Sequence, residues 1–213
     1  MTRRFGLNHD VISAWKALRQ MRYALSRTRK QRVFGIGLSR TGTKSMHQAL
    51  RHLGYRSEHF PTHLLGVAGG NLTLDLDAVR HYEAITDTVA SAFFRELDAR
   101  YPDARFILTV RDIDAWLRSC AAHFASMDDE PAKGGAHKIR LLRQRIYGTV
   151  DFDPAMFRSA YLQHVEQVRA HFRGRDNLLV VDICNGEGWA PLCRFLGVET
   201  SSGAFPWANR RLS

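Results

Sequence analysis

Val33-Phe34-Gly35-Ile36-Gly37-Leu38 runs directly into Ser39-Arg40-Thr41-Gly42-Thr43-Lys44-Ser45-Met46, and the helix-like SMHQALRHL (45–53) follows without a gap. An apolar run of six, rich in β-branched residues, is too short for an ordinary helix and reads as a buried strand. A glycine-bearing turn leading from such a strand into a helix brings several backbone N–H groups together at the positive end of the helix dipole. Arg40 and Lys44 flank the turn, so the stretch reads as an anion site. It departs from the Walker pattern GxxxxGK[ST], in which a lysine and then a magnesium-binding hydroxyl follow the second glycine. Here Thr43 follows Gly42, and Lys44 stands where the hydroxyl belongs.

Outward from this point the chain repeats the same alternation. Strands are expected at 33–38, 55–59, 83–87, 105–110 and 177–183, and helices at 43–53, 74–82, 91–100, 112–124, 136–147, 154–173 and 187–196. Gly54 and Gly197 sit where helix C-terminal caps belong, and Pro154 and Pro191 near helix starts. Segments 60–73 and 125–135 interrupt the pattern and read as irregular, with Gly69-Gly70 as a flexible acceptor-side loop. Strand-helix alternation predicts an α/β domain over 33–213, a three-layer P-loop NTPase-like fold around a central, mostly parallel sheet of about five strands. In such sheets ligands bind beyond the carboxyl ends of the strands, so candidate residues are sought there.

Composition limits what else the chain can be. Its 213 residues are 45% hydrophobic and 24% charged, which suits one globular domain and excludes collagen-like, coiled-coil and disordered classes. No apolar run approaches the roughly 18 residues a membrane span requires, and no secretory signal opens the chain. Cys120, Cys184 and Cys193 are odd in number and lack CxxC or zinc-ligand spacing, so a reducing cytoplasm is expected, with neither a disulfide framework nor a bound metal. The net charge of +10 is unevenly placed: residues 1–32 carry nine Lys or Arg and one acid, a net of +8, leaving +2 for the rest. Val11, Ala14, Trp15, Leu18, Met21 and Leu25 recur there at helical spacing. The segment is therefore expected to form a basic amphipathic helix, either docked by its stripe or in peripheral contact with an anionic membrane. Nucleic acid is not expected as a partner, since the body's small excess of charge suffices only for local anions.

Two motifs together carry a family resemblance. GLSRTGTKSMHQAL (37–50) resembles the 5′-phosphosulfate loop of sulfotransferases that use 3′-phosphoadenosine-5′-phosphosulfate (PAPS), and RFILTVRDIDAWLRS (105–119) resembles their 3′-phosphate segment. NLLVVDICNGEGWAPLCRFLGV (177–198), followed by AFPWANRR, is similar to the end of a compact branch of that family, so the likeness spans roughly 33–211. The resemblance implies that the amides of Thr41, Gly42, Thr43 and Lys44 cradle the 5′-phosphosulfate, with the hydroxyls of Thr43 and Ser45 as further donors. It also implies that Arg111 and Ser119 hold the 3′-phosphate. Arg40 stands where many members carry a lysine; an arginine stays protonated and contributes charge, not a proton.

In-line sulfuryl transfer to a hydroxyl or amine requires a base for the acceptor proton. Asp87 closes the strand preceding the Arg111 strand, where the cytosolic branch carries its catalytic His. Glu58 and His59 close the second strand, where the carbohydrate-modifying branch carries a Glu and the compact branch a His. His59 and Asp87 are expected to share one acceptor site, because a carboxylate near an imidazole fixes its tautomer and favours its charged form. Asp87 also stands where a helix N-cap belongs. Trp116 reads as core; Trp189 and Trp207 are candidates for packing on the purine, and Arg210 and Arg211 for the 3′-phosphate. A small-molecule, carbohydrate or lipid acceptor remains open. So do two other readings, a small-molecule kinase on a related fold and a nucleotide-binding protein without transfer activity.

Overall fold

The structure, a computed structural model, describes residues 31–125 and 136–208. The basic N-terminal segment and the Arg210-Arg211 pair therefore lie outside the described residues. Five parallel strands form the central sheet: β1 (Val33–Gly35), β2 (Ser57–His59), β5 (Ala84–Thr86), β6 (Arg105–Thr109) and β7 (Leu178–Val181), in the order β2-β5-β1-β6-β7. The helices are α1 (Thr43–His52), α2 (Leu76–Val79), α3 (Thr88–Ala92), α4 (Phe94–Arg100), α5 (Ile113–Ala125), α6 (Ala136–Tyr147), α7 (Pro154–His171) and α8 (Trp189–Leu196).

Alternation along the strands builds two cores, one on each face of the sheet. Phe34, Ile36, Ile85, Phe106 and Leu108 pack with Phe94 and Leu97 of α4 and with Val168 of α7 and Phe172 after it. Their sequence neighbours Val33, Ala84, Ile107 and Val181 turn the other way, onto Met46, Ala49 and Leu50 of α1 and Leu192 and Cys193 of α8. The three-layer α/β architecture expected from the sequence is the one found. A third cluster, in which Trp116, Tyr147, Phe157 and Tyr161 surround Leu38, fixes α5, α6 and α7 beside the phosphate loop.

Three local expectations change. The 60–73 stretch contains a 3-10 turn (Thr62–Leu64) and an antiparallel hairpin of β3 (Leu65–Ala68) and β4 (Asn71–Leu74). Its turn is Gly69-Gly70, with φ of 56° and 78°, the left-handed pair that a tight two-residue hairpin requires. The helix expected over 74–82 is only the single turn of α2, because Leu74 pairs into β4 and the Asp75 side chain caps at once, accepting from the Ala78 amide at 2.9 Å. The helix expected over 91–100 starts earlier and divides into α3 and α4 at Phe93, whose ring is buried against Leu65, Leu72 and Leu142. The fold ends α1 as expected, with Gly54 at φ 81° and the Tyr55 amide bonded back to the Leu50 carbonyl.

From β1 the chain first builds the β5 and β2 side of the sheet and then crosses to β6 and β7, so the strand order reverses at β1. The crevice at that reversal opens onto the carboxyl ends of β1, β5 and β6.

Candidate active site

The loop after β1 is held open by specific contacts. A Cβ on Gly37 would lie 1.9 Å from Thr109 Oγ1 and 2.6 Å from the Thr109 carbonyl oxygen, so only glycine lets the loop run against β6. Gly42, at φ 92°, is the N-cap of α1 and makes no side-chain cap bond, and the first turn holds no acid. The first-turn amides of the ten-residue α1 are thus left to an external anion. Thr41 behaves differently from the expectation. Its amide donates to the Leu38 carbonyl at 3.3 Å, and its hydroxyl lies 2.7 Å from that carbonyl and 2.6 Å from Thr109 Oγ1. It is fully buried and shapes the loop instead of facing the cavity.

The two segments singled out in the sequence meet through Arg40. Arg40 Nε donates to Ser119 Oγ at 3.0 Å, and Arg111 Nη1 donates to the Arg40 carbonyl at 3.2 Å. Trp116, wholly buried, ties α5 to the same loop by donating from Nε1 to the Ser39 carbonyl at 2.8 Å. Tyr161 of α7 brackets the Arg111 backbone, accepting from its amide at 2.9 Å and donating to its carbonyl at 2.8 Å. Arg40, Lys44 and Arg111 all line a cavity of about 570 Å³; Ser119 sits behind Arg40 and does not.

Asp87, 4% exposed, is the pivot of the site. One carboxylate oxygen accepts from the Ser39 hydroxyl at 2.5 Å and the Thr88 amide at 2.6 Å, and the other accepts from the Thr43 hydroxyl at 2.6 Å. The expected Thr43 donor is therefore turned to Asp87, while Ser45 Oγ accepts from the Ala208 amide at 3.0 Å and so ties down the C-terminal segment. Asp87 is both the N-cap of α3 and a brace of the phosphate loop.

His59 Nε2 lies 3.5 Å from Asp87 Oδ2, and its Nδ1 lies 3.1 Å from Thr86 Oγ1. The His59-Asp87 pairing expected from the sequence is present in the geometry. Glu58, its neighbour on β2, does not line the cavity, as alternation along a strand requires. Beside His59 lies the His47 ring, at 5.7 Å between centroids. Burial, with His59, Arg51 and Lys44 nearby, pushes its pKa down to about 4, so His47 presents a neutral imidazole. Three residues other than glycine hold a positive φ, Arg40 (72°), Phe60 (52°) and Asp87 (81°), and all three line the cavity. Conformations of this kind cost of order 1–3 kcal/mol each and persist where the surroundings hold them.

Several lining residues had no expectation attached. Tyr147 of α6 is buried against Phe157 in a 4.1 Å stack and is hydrogen-bonded to Ser39; its burial holds the phenol well above the usual range. Phe124, Ile139, Leu142 and Ile146 continue the wall, within the segments 60–73 and 125–150 from which the sequence placed the acceptor lining. The last three follow helical spacing, a pattern indistinguishable from a core stripe in sequence. The Gly69-Gly70 turn does not line the cavity. Trp207 does, whereas Trp189 is buried beside Phe205 and donates to the Gly203 carbonyl at 3.1 Å. Among the described residues no His, Cys, Asp and Glu side chains cluster as a metal site, and no helix is long and apolar enough to cross a membrane.

A family model described as Sulfotransferase domain matches residues 32–213. The chain belongs to the sulfotransferase family. Among curated proteins, "Ava biosynthesis cluster protein M" of Aspergillus versicolor is 27% identical, over 82% of this chain and 79% of that protein. Among solved structures, the crystal structure of a sulfotransferase from Alicyclobacillus acidocaldarius superposes with a TM-score of 0.53 over 86% of each chain at 20% identity, a likeness of fold. The sulfotransferase match takes in the phosphate loop, Asp87, the Arg111 segment and the C-terminal stretch that closes on Ser45.

Proposed function

We propose that this sulfotransferase uses PAPS as donor and transfers its sulfuryl group to a hydroxyl of a small acceptor. The observation that carries the proposal is the joining of two cationic segments at one crevice: the uncapped α1 terminus with Arg40 and Lys44, and Arg111, whose guanidinium bonds back to the Arg40 carbonyl. One doubly phosphorylated nucleotide with an anion at each end suits that arrangement.

PAPS supplies a sulfuryl group already attached to a phosphate leaving group. The amides of Gly42, Thr43, Lys44 and Ser45 bind the 5′ end; Arg40 and Lys44 neutralise charge growing on the phosphate oxygen as the S–O bond breaks. Arg111, with Ser119 steadying Arg40 beside it, holds the 3′-phosphate. On the acceptor side, Nδ1 of His59 donates to Thr86, which leaves Nε2 unprotonated and facing the cavity. Nε2 takes the acceptor proton as the new S–O bond forms, and Asp87 stabilises the resulting imidazolium. Asp87 itself is committed to three hydrogen bonds and is assigned to positioning, not to proton abstraction.

The test is transfer of labelled sulfate from PAPS to acceptors, with binding of adenosine 3′,5′-bisphosphate followed by calorimetry. Binding of ATP-Mg²⁺ tighter than that of the bisphosphate would overturn the donor assignment in favour of a kinase. Tight bisphosphate binding with no transfer to any acceptor would leave a nucleotide-binding protein without this activity.

A further inference from the structure

The acceptor end of the cavity differs in kind from the donor end. Past His59 and Asp87 the wall is made by Phe60 at the end of β2, Phe124 of α5, and Ile139, Leu142, Ile146 and Tyr147 of α6. Ile139, Leu142 and Ile146 fall at i, i+3 and i+7, one face of a helix. Leu142, Ile146 and Phe60 are fixed from behind by the β3-β4 hairpin and α3, through Leu65, Leu72 and Val89. The face is therefore a rigid apolar surface.

What this wall lacks is as specific. Among the described residues lining the cavity there is no Asn, Gln or Glu, and the single carboxylate, Asp87, already accepts three hydrogen bonds. A sugar bound there would bury hydroxyls without partners, at a cost of about 1–3 kcal/mol for each. A cationic amine would meet Arg40, Lys44, Arg111 and Arg143 with only Asp87 to offset them. Arg143 does not make the wall polar, since its guanidinium lies over the Phe124 ring at 4.5 Å and donates to the Val150 carbonyl at 3.4 Å.

We infer that the acceptor is an apolar ring compound carrying one reactive hydroxyl, a phenol or a similar hydrophobic alcohol, selected by the Ile139-Leu142-Ile146 face against sugars, amines and peptides. The inference rests on the sulfuryl-transfer reading and names the acceptor class for the same site. In the transfer step the acceptor oxygen forms the new bond to sulfur, the bond from sulfur to the phosphate oxygen breaks, and the hydroxyl proton passes to His59.

The test uses the full chain, saturated with adenosine 3′,5′-bisphosphate, and follows 2-naphthol binding by its fluorescence; a parallel assay follows labelled transfer from PAPS to 2-naphthol, glucose, tyramine and a tyrosine peptide. Naphthol is expected to bind and to be sulfated with the highest kcat/KM of the panel. Ile139→Asn, at a half-buried position outside the core clusters, is expected to raise both the naphthol Kd and its KM about tenfold, which corresponds to 1.4 kcal/mol, with bisphosphate affinity unchanged. Ile146→Thr is expected to act the same way, more weakly. Preference for glucose, tyramine or the peptide, or naphthol constants unmoved by both substitutions, overturns the acceptor class while leaving the transfer reading intact. Naphthol binding that depends on Ile139, with no transfer to any acceptor, upholds the apolar site and overturns the transfer reading instead.

Discussion

Replacing Asp87 separates its two duties. The carboxylate accepts from the Thr43 hydroxyl and the Thr88 amide at 2.6 Å and from the Ser39 hydroxyl, and both Thr43 and Thr88 are buried. Bonds to an ionised acceptor contribute about 1.5–3 kcal/mol each, and a buried donor left unpaired forfeits its hydration as well. In Asp87→Ala the Ser39 and Thr43 hydroxyls rotate to other acceptors, but the Thr88 amide has no such freedom. Alanine must also hold the φ of 81°, at about 1 kcal/mol. The expected loss is about 3–5 kcal/mol, or roughly 10 °C in Tm for a domain of this size. Because Ser39 and Thr43 belong to the phosphate loop, bisphosphate affinity falls too. Asp87→Asn keeps a carbonyl acceptor and tolerates the positive φ, so it costs only about 1 kcal/mol and leaves bisphosphate affinity within about threefold. It cannot stabilise an imidazolium at His59, so turnover falls about 100-fold or more. Urea unfolding, calorimetry with the bisphosphate and turnover with one acceptor measure the three quantities on each variant. If Asp87→Ala keeps wild-type stability and affinity, the carboxylate does not brace the loop; if Asp87→Asn turns over normally, its partnership with His59 is not catalytic.

Three further outcomes are expected. Arg111→Ala weakens adenosine 3′,5′-bisphosphate binding by roughly 10- to 100-fold, the worth of one charge-assisted phosphate contact, while the affinity for adenosine 5′-phosphate, titrated in parallel, changes far less. Asp98 receives both guanidinium nitrogens of Arg175, at 2.6 and 2.7 Å, and His171 at 2.7 Å. Arg175 first, and then His171, holds its carboxyl below the ordinary value of 3.8, so the stability it contributes is complete above that value and lost as pH falls toward the lowered native one. Asp98→Asn should cost about 2 kcal/mol at pH 7 and flatten the acid limb of a Tm-versus-pH curve. Among the thiols, Cys120 is buried and pushed up to about 12, and Cys193 is buried, whereas Cys184 is partly exposed on the cavity wall. Ellman's reagent at pH 8 should therefore label Cys184 first, slowly because its burial raises the pKa, and bound bisphosphate should protect it.

The sheet, the phosphate loop and the Arg111 segment were legible because each is a contiguous pattern: a β-branched run, a glycine turn, a helix with one apolar stripe. Even the pairing of His59 with Asp87 followed from strand ends that a parallel sheet must bring to one edge. What the sequence could not carry were contacts between segments. Thr43 offers the same hydroxyl whether it faces a ligand or a carboxylate 44 positions away, and only the placement of Asp87 turns it inward. The Ile139, Leu142 and Ile146 face reads as core in one dimension, since periodicity reports a buried side and not what lies against it. The β3-β4 hairpin was within reach: a Gly-Gly pair between residues that pair across it, Ala68 and Asn71, is a recognised turn signal.

The three left-handed residues, Arg40, Phe60 and Asp87, also bear on how this protein would respond to selection. Glycine accepts those angles without steric cost, so a screen for heat resistance alone is free to recruit it at any of the three. Each replacement would discard a side chain from the cavity: a cation, an aromatic wall or the brace of the loop. Thermostable variants carrying glycine at 40, 60 or 87 should thus be sturdy and inactive, and a library meant to keep activity should hold these three codons fixed.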